Sequence, residues 1–478
     1  MVERFVLLET TENKKGAEGM KKTKQILTLA TTASLLMGSI SVPAYAATTF
    51  VDINTVTWSG FKPFLNQAAE LGLMSGYEEN GKRYCKPRNN VTYCEAVQLM
   101  YSIMKAYTKQ DVNDATVTKW KPVISAYNIP TWAYKATAYG LIAAAEKAGL
   151  PLFLGSYPIT PATDILHELS KHKSLGVTTV QCEDEISGCA TAIGASFAGA
   201  LAATSTSGPG VCLKSEAMNL AVITELPLVV VDVQRGGPST GLPTKSEQTD
   251  LLQALFGRNG ESPMPVIAAA SPTHCFDAAY AACKMALEHM TPVVLLTDGF
   301  VANGSGAWRL PDLESYPAIN PPYVTPEMKD NYTPYKRNPE TGVRYWALPG
   351  QEGYMHILGG LEKDSNTGAI STDPENHNLM CRLRAEKVAK IPVPDVKVQG
   401  CADDADLLIV GFGGTYGHLY SAMEEMNKAG KKVALAHFVH LNPLPENTAE
   451  VLKKYKKVVV AEQNLGQFAG YLRMKVDG

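Results

Sequence analysis

The sequence predicts an α/β protein: a doubly wound, largely parallel sheet, a smaller α/β domain after it and a small helical module before it. Three observations predict this. Short β-branched and apolar runs at 152–154, 177–181, 228–233, 266–270 and 293–297 alternate with longer stretches of helical periodicity. Each run leads into a turn and then a helix start, the rhythm of βαβ units. The run 228–233 is broken only by Asp232, as in a strand buried on both faces. The 478 residues, 45% of them hydrophobic, suffice for two or three full-sized cores. A net charge of −3 supplies no basic field, so nucleic acid is not an expected partner.

Residues 1–19 are polar and read as upstream read-through, because Met20 is the better start. Lys21, Lys22 and Lys24 form a basic region, 26–36 an apolar core, and Ala44-Tyr45-Ala46 a small-x-small cleavage pattern. Residues 1–46 therefore read as leader and signal peptide, too short for a membrane span. Residues 47–139 predict the helical module. Phe61, Phe64, Leu65, Ala68 and Leu71 recur at helical spacing before Gly72 and Gly76. Thr92 and Glu95 stand in capping-box register at the head of a second helix that reaches residue 104. This pattern resembles one S-layer homology repeat, which implies a secreted or cell-wall location and a cell-wall polymer as partner. Tyr93 stands where that family usually has a basic residue. A second repeat starts at Ile129-Pro130-Thr131-Trp132 and is not completed, its helix running straight into 141–149.

The chemistry-bearing motifs lie within 140–303. The strand at 152–154 runs into Gly155-Ser156-Tyr157-Pro158-Ile159-Thr160-Pro161. Pro161 suits a first helical position, so Thr160 is expected as N-cap with its hydroxyl at the strand end, a ligand position in parallel sheets. Glu183-Asp184-Glu185 head a helix predicted over 186–202. The helix dipole alone favours three acids there. Gly188, Ala192, Gly194, Ala195 and Gly199, however, leave that helix almost without bulk. Another backbone or a flat ring can approach it, and one carboxylate can face a buried ring. Residues 204–210 read as a polar, Gly-containing loop before a helix at 215–224. The strand 228–233 delivers a Gly-rich loop carrying one cation, Arg235, whose planar donor fork suits a carboxylate.

The α/β rhythm continues through helices at 251–256 and 276–290. Residues 304–400 are a Pro-, Gly- and Tyr-rich connecting segment with a helix predicted over 377–390. His377 is the ligand candidate there, but no cluster of Cys or His accompanies it, so a structural role is the preferred reading. Nine cysteines form no C-x-x-C pair, and no metal ligand set is expected in this chain. In 401–478, strands at 407–411 and 433–437 flank a helix at 419–429. The string Gly411 to Gly417 reads as packing glycines rather than a dinucleotide loop, since Lys431 and Lys432 replace the acid such a loop needs about twenty residues on. The sequence stops at Gly478 inside a helical pattern, which predicts a truncated C-terminus.

Four strings occur in order: Tyr157-Pro158-Ile159-Thr160-Pro161, Glu183-Asp184-Glu185-Ile186, Thr206-Ser207-Gly208-Pro209-Gly210 and Arg235-Gly236-Gly237-Pro238-Ser239-Thr240-Gly241-Leu242-Pro243-Thr244. Together they resemble the α subunit of 2-oxoacid:ferredoxin oxidoreductases, the 2-oxoglutarate branch in particular, over about 140–478. The resemblance implies a pyrimidine-type thiamine-diphosphate-binding domain at 140–303 and a transketolase C-terminal-like domain at 401–478. It implies oxidative decarboxylation of a 2-oxoacid with coenzyme A to an acyl-CoA. Glu185 would hold the cofactor's pyrimidine ring, with Glu183 as runner-up; Glu185 lies nine residues before Gly194, the spacing of related pyruvate enzymes. Tyr157, Pro158 and Ile159 would touch the cofactor, Arg235 the substrate carboxylate and Thr160 the reacting carbon. Ser239 and Thr240 would line the pocket. Asp298-Gly299 is not the Gly-Asp-Gly that holds magnesium diphosphate in thiamine enzymes. This chain alone is therefore not expected to hold the diphosphate; the resemblance implies that Mg, that half of the site and a 4Fe-4S cluster belong to a β subunit, with ferredoxin as acceptor and a cytoplasmic location. The export signal contradicts that location, so a fusion near Gly140, by gene rearrangement or faulty sequence assembly, is expected. The rival class is a secreted, wall-anchored S-layer homology protein with an inactive oxidoreductase-like region.

Overall fold

The computed structural model describes the strands at 77–79 and 82–84 and residues 127–476 save 310. The chain divides into two compact units, 1–125 and 126–478. In the first, β1 (Tyr77–Glu79) and β2 (Lys82–Tyr84) pair antiparallel, Tyr77 opposite Tyr84. The signal peptide and nearly all of the S-layer-type module lie outside the described residues. The second unit opens with β3 (Tyr127–Trp132) and α1 (Ala133–Ala148). Then come β4 (Leu152–Ser156), α2 (Thr163–Leu169), β5 (Val177–Gln181), α3 (Glu185–Phe197), β6 (Leu201–Thr206), α4 (Gly208–Leu213), α5 (Ser215–Thr224) and β7 (Leu228–Gln234). After them follow α6 (Leu251–Phe256), β8 (Val266–Ala268), α7 (His274–His289), β9 (Pro292–Asp298) and β10 (Ser305–Arg309).

Six of these strands and His440–Asn442 of the smaller domain, strand β14, build a seven-stranded sheet of order β14-β8-β9-β7-β6-β4-β5, while β3 and β10 pair apart from it. Within the seven-stranded sheet all pairings are parallel except that of β14 with β8. The central strand shows why. In β7, Leu228 and Val230 enter one apolar cluster while Val229, Val231 and Val233 enter the other, so a period of two buries both faces. The chain leaves β4 outward in both directions, to β5 and to β6, and ligands bind at such a switch point outside the carboxyl ends of the strands.

The expected boundary at 139/140 is corrected by α1, a single helix that crosses it. A Cβ on Gly140 would stand 2.5 Å from the Phe276 carbonyl oxygen, so α1 lies almost in backbone contact with α7. Residues 129–132, read as an unfinished S-layer repeat, are strand instead and pair with β10. Two further readings are corrected. The helix expected over 186–202 ends at Phe197, because Gly199 adopts φ +100° and 201–206 become strand β6. Its polar side chains, expected in a loop, are buried and bonded: Thr204 Oγ1 accepts from Lys214 Nζ at 2.9 Å, and Ser205 meets Ser156. Thr160 is not an N-cap; α2 starts three residues later with Ala162 in that position.

The connecting segment carries α8 (Pro374–Ala389), capped by Asp373, which accepts from Glu375 N at 3.0 Å. The smaller domain holds β11 (Val398–Gly400), β12 (Leu407–Phe412), α9 (Tyr416–Lys428), β13 (Val433–Phe438), β14 (His440–Asn442), α10 (Thr448–Lys454), β15 (Val458–Val460) and α11 (Gln467–Val476). Its sheet has the order β11-β13-β12-β15. No helix among the described residues is long and apolar enough to cross a membrane.

Candidate functional site

The carboxyl ends of β4, β6 and β7 converge with the head of α3. Gly155 and Gly188 make this contact: a Cβ on Gly155 would stand 2.3 Å from the Gly188 carbonyl oxygen, and one on Gly188 3.2 Å from the Ser156 backbone. The close approach expected of the small-residue helix is thus made by a backbone, that of β4. Ser156, buried at the strand end, donates to Ser205 O at 2.9 Å and ties β4 to β6.

The three acids at the head of α3 divide their work. Glu183 is exposed. Asp184 is the N-cap: it accepts from Ser187 N at 2.7 Å in a reciprocal capping box, and that bond holds its carboxyl below the usual range. Helix capping therefore accounts for Asp184 and leaves Glu185 to be explained. Glu185 is 8% exposed, and its Cγ lies 2.9 Å from where a Cβ on Gly210 would stand, beside Thr206. Nothing larger than glycine fits under it.

Arg235 follows β7, is 6% exposed, and donates through Nη1 to the Thr160 carbonyl oxygen at 2.6 Å. Arg235 and Thr160 are therefore brought together, through the Thr160 backbone. The loop that carries Thr160 starts with Tyr157, exposed, and half-buried Pro158 and Ile159; Thr163 Oγ1 closes it by accepting from Ile159 N at 2.8 Å. Ser239 and Thr240 sit elsewhere, exposed on the loop after β7, Ser239 at φ +55°.

Beneath these groups lie ionisable residues that sequence reasoning did not assign. Lys214 and Asp232 are completely buried, and Asp250 reaches over Gly208, each of its oxygens 2.7 Å from where a Cβ there would stand. Burial pushes the Lys214 ammonium down. Burial and then Asp250 push the Asp232 carboxyl well up, and burial and then Glu247 push Asp250 up to about 6 against the pull of Arg235. Ser207 Oγ, both Asp232 oxygens, Asp250 Oδ2 and Arg235 Nε are buried with no hydrogen-bond partner among the described residues. The legible signal was Asp232, an acid inside an otherwise apolar strand.

Asp298 has a different task. Buried at the end of β9, it accepts from Phe300 N at 2.9 Å, Val301 N at 3.0 Å and Gly414 N at 3.0 Å. Its carboxylate is committed to a short helix and to the glycine string of the smaller domain. Gln248 makes a parallel link, donating to Phe412 O at 2.9 Å and exchanging bonds with Gln463. Packing against the first domain is thus what Gly413 and Gly414 do, and a Cβ on either would stand under 3 Å from Gln248 or Asp298.

Comparison with known proteins fits this geometry. Residues 144–361 match the family described as pyruvate flavodoxin/ferredoxin oxidoreductase, thiamine diP-binding, and 405–477 match pyruvate:ferredoxin oxidoreductase core domain II. The 2-oxoglutarate oxidoreductase subunit KorA of Mycobacterium tuberculosis is 55% identical over 71% of this chain and 52% of its own length. This chain thus spans about half of that relative. The 2-oxoglutarate synthase subunit KorA of Methanothermobacter marburgensis is 33% identical over 68% of this chain and 85% of its own. A solved 2-oxoglutarate:ferredoxin oxidoreductase from Magnetococcus marinus, with 2-oxoglutarate, coenzyme A and succinyl-CoA bound, superposes with a TM-score of 0.68 at 30% identity, covering 90% of this chain and 70% of that one. With the motifs, the switch-point site and a relative 33% identical and matched over 85% of its length, this chain belongs to the 2-oxoacid:ferredoxin oxidoreductase family, among its KorA-type α subunits.

Proposed function

We propose that the chain is the α subunit of a 2-oxoglutarate:ferredoxin oxidoreductase, which oxidatively decarboxylates its 2-oxoacid with coenzyme A to an acyl-CoA. The observation that carries this reading is Glu185, a buried acid that helix capping does not use, at the head of a glycine-packed helix beside the sheet's switch point. The residues fit the aminopyrimidine end of thiamine diphosphate: Glu185 is a buried acid kept clear of side-chain bulk by Gly210, and Arg235 keeps an unpartnered buried nitrogen. They do not fit the metal–diphosphate end, since Asp298 is spent on structural bonds. When bound, thiamine diphosphate supplies a thiazolium carbon that can be deprotonated to a nucleophile. Glu185 would hold the pyrimidine ring by a hydrogen bond to its ring nitrogen, the contact that lets the aminopyrimidine act as base. Arg235 would fix the substrate carboxylate beside the Thr160 backbone, while Ser239 and Thr240, exposed on the loop after β7, would reach the pocket only if that loop folds over it. Tyr157, Pro158 and Ile159 border the cofactor.

A β subunit supplies Mg and a 4Fe-4S cluster and passes electrons to ferredoxin. Tyr157, Ile186, Leu242 and Phe300 are large exposed apolar side chains that follow strand ends at this edge of the sheet, as a covering subunit requires. The signal peptide and S-layer homology module have no supporting observation beyond their residues, and a fused junction would lie upstream of β3. Continuous DNA reads across about codons 110 to 150 test whether the halves are joined in the genome. For the enzyme, the full chain coexpressed with a cognate β subunit reduces a viologen dye when given 2-oxoglutarate and coenzyme A. A stable complex inert with every 2-oxoacid defeats the reading, and reduction by pyruvate alone reassigns the substrate.

A further inference from the structure

Far from the thiamine site in sequence, the connecting segment and α8 bring three ligand-type side chains together. Glu362, His377 and Cys381 each offer an atom, all within 4.8 Å of one another. His377 and Cys381 share one face of α8 at a four-residue spacing, as helical ligand pairs do. Glu362 comes from the loop before the helix. His377 Nδ1 lies 2.9 Å from Glu362 Oε2, and Cys381 Sγ lies 3.7 Å from His377 Nε2.

We propose that Glu362, His377 and Cys381 form a three-ligand site for a thiophilic divalent cation of zinc type, with the remaining position open to solvent. Tetrahedral bonds of about 2.0–2.3 Å place neighbouring ligand atoms about 3.3–3.6 Å apart, and three ligand atoms, one from each residue and all within 4.8 Å of one another, reach that spacing by shifts of about an ångström. The carboxylate is already oriented. Arg384 donates to Oε1 at 3.3 Å and Oε2 at 3.0 Å, and Lys363 N donates to Oε1 at 3.1 Å. Such outer partners fix a ligand's direction without taking the lone pair that His377 now occupies. The hydrogen bond between His377 and Glu362 is the metal-free substitute for two metal bonds. Arg384 Nη2 also donates to Cys381 Sγ at 3.5 Å, so the same guanidinium orients two of the three ligands. The His377 side chain is 63% exposed, which gives an ion a way in.

The test uses the purified full chain loaded with Co²⁺ and dialysed. Wild-type protein retains one equivalent per chain that shows tetrahedral d–d bands and a thiolate-to-cobalt charge-transfer band. His377→Ala and Cys381→Ser, with helical circular dichroism unchanged, bind Co²⁺ at least about tenfold more weakly, and Cys381→Ser loses the charge-transfer band. The same band and stoichiometry in both variants, or no cobalt retained by the wild type, overturns the site.

Discussion

Two clusters of buried charge lie in the larger domain and its connecting segment, and they are built in opposite ways. Around Glu225 the carboxylate is answered on both oxygens, by Arg337 and by Lys387, while Arg344 donates to its backbone carbonyl at 3.1 Å. Around Arg235 the acid Asp232 and the lysine Lys214 are buried and Asp250 is half-buried, yet among the described residues the Lys214 ammonium bonds only Thr204 and five nearby polar atoms have no partner. A buried charge that is paired serves the fold, because desolvation is repaid only by good geometry. Buried polar atoms without partners, gathered at strand ends, are the signature of a place meant to hold something else.

The largest effect belongs to the paired cluster. Burial pushes the Glu225 carboxyl up, but Lys387 and Arg337 more than offset this and hold it well below the usual range. Its contribution is therefore complete above the ordinary carboxylate range and fades as pH falls below it. Glu225→Gln strands two buried cations, and the stability lost is about 3–5 kcal/mol by urea unfolding at pH 7. A loss below about 1 kcal/mol would dissolve the contrast.

Next is Glu185→Gln, which keeps the shape and removes the transferable proton. Dye reduction by the complex with the β subunit drops about 10²–10⁴-fold while the urea midpoint stays in place. Glu183→Gln, on an exposed acid, leaves turnover within about twofold. Equal losses from the two variants would contradict the division of labour at the head of α3.

How much of this was legible beforehand follows from what local sequence encodes. The apolar runs that became β4, β5, β7 and β9 and the motifs around Glu185 and Arg235 could be read, since burial and turn chemistry write period and glycine into the chain. The strand β6 could not, because Thr204, Ser205 and Thr206 look like loop until Lys214 and Ser156 satisfy them across the sheet. Glu225 was equally silent: its partners Arg337 and Lys387 are 112 and 162 residues away. The Glu362–His377–Cys381 cluster was half visible. A four-residue His–Cys spacing inside a predicted helix is a signal, but the search for C-x-x-C pairs passes over it.

Acid sharpens the comparison at a third place, where the smaller domain meets the large sheet. Burial pushes both His437, which donates to Gly413 O at 3.0 Å, and His440, on the edge strand β14, down to about 4. Both are neutral in the fold, whereas the unfolded chain takes up protons below about 6.5. Their stabilisation is whole above that value and is lost as pH falls toward 4, roughly 1 kcal/mol each at pH 5.5. His440→Gln removes that share of the acid sensitivity, measured as the difference in urea midpoint between pH 7 and 5.5. A variant as acid-sensitive as the wild type would place the effect elsewhere.

The smallest effect tests the unpartnered cluster most directly. Asp232 has its carboxyl raised well above the usual range by burial and then by Asp250, which favours the protonated acid. A carboxyl raised in the fold weakens stability as pH climbs from the unfolded value through the folded one. Asparagine has nearly the same shape and no proton to lose. Asp232→Asn therefore changes stability by less than about 1 kcal/mol at pH 7, in the stabilising direction, and flattens its decline as pH rises above the ordinary carboxylate range. If Asp232 were instead ionised and paired with Lys214, the variant would leave a buried ammonium unanswered and lose several kcal/mol, about what Glu225→Gln loses. That outcome would make the two clusters alike, and the empty valences at the strand ends would then belong to the fold rather than to a ligand.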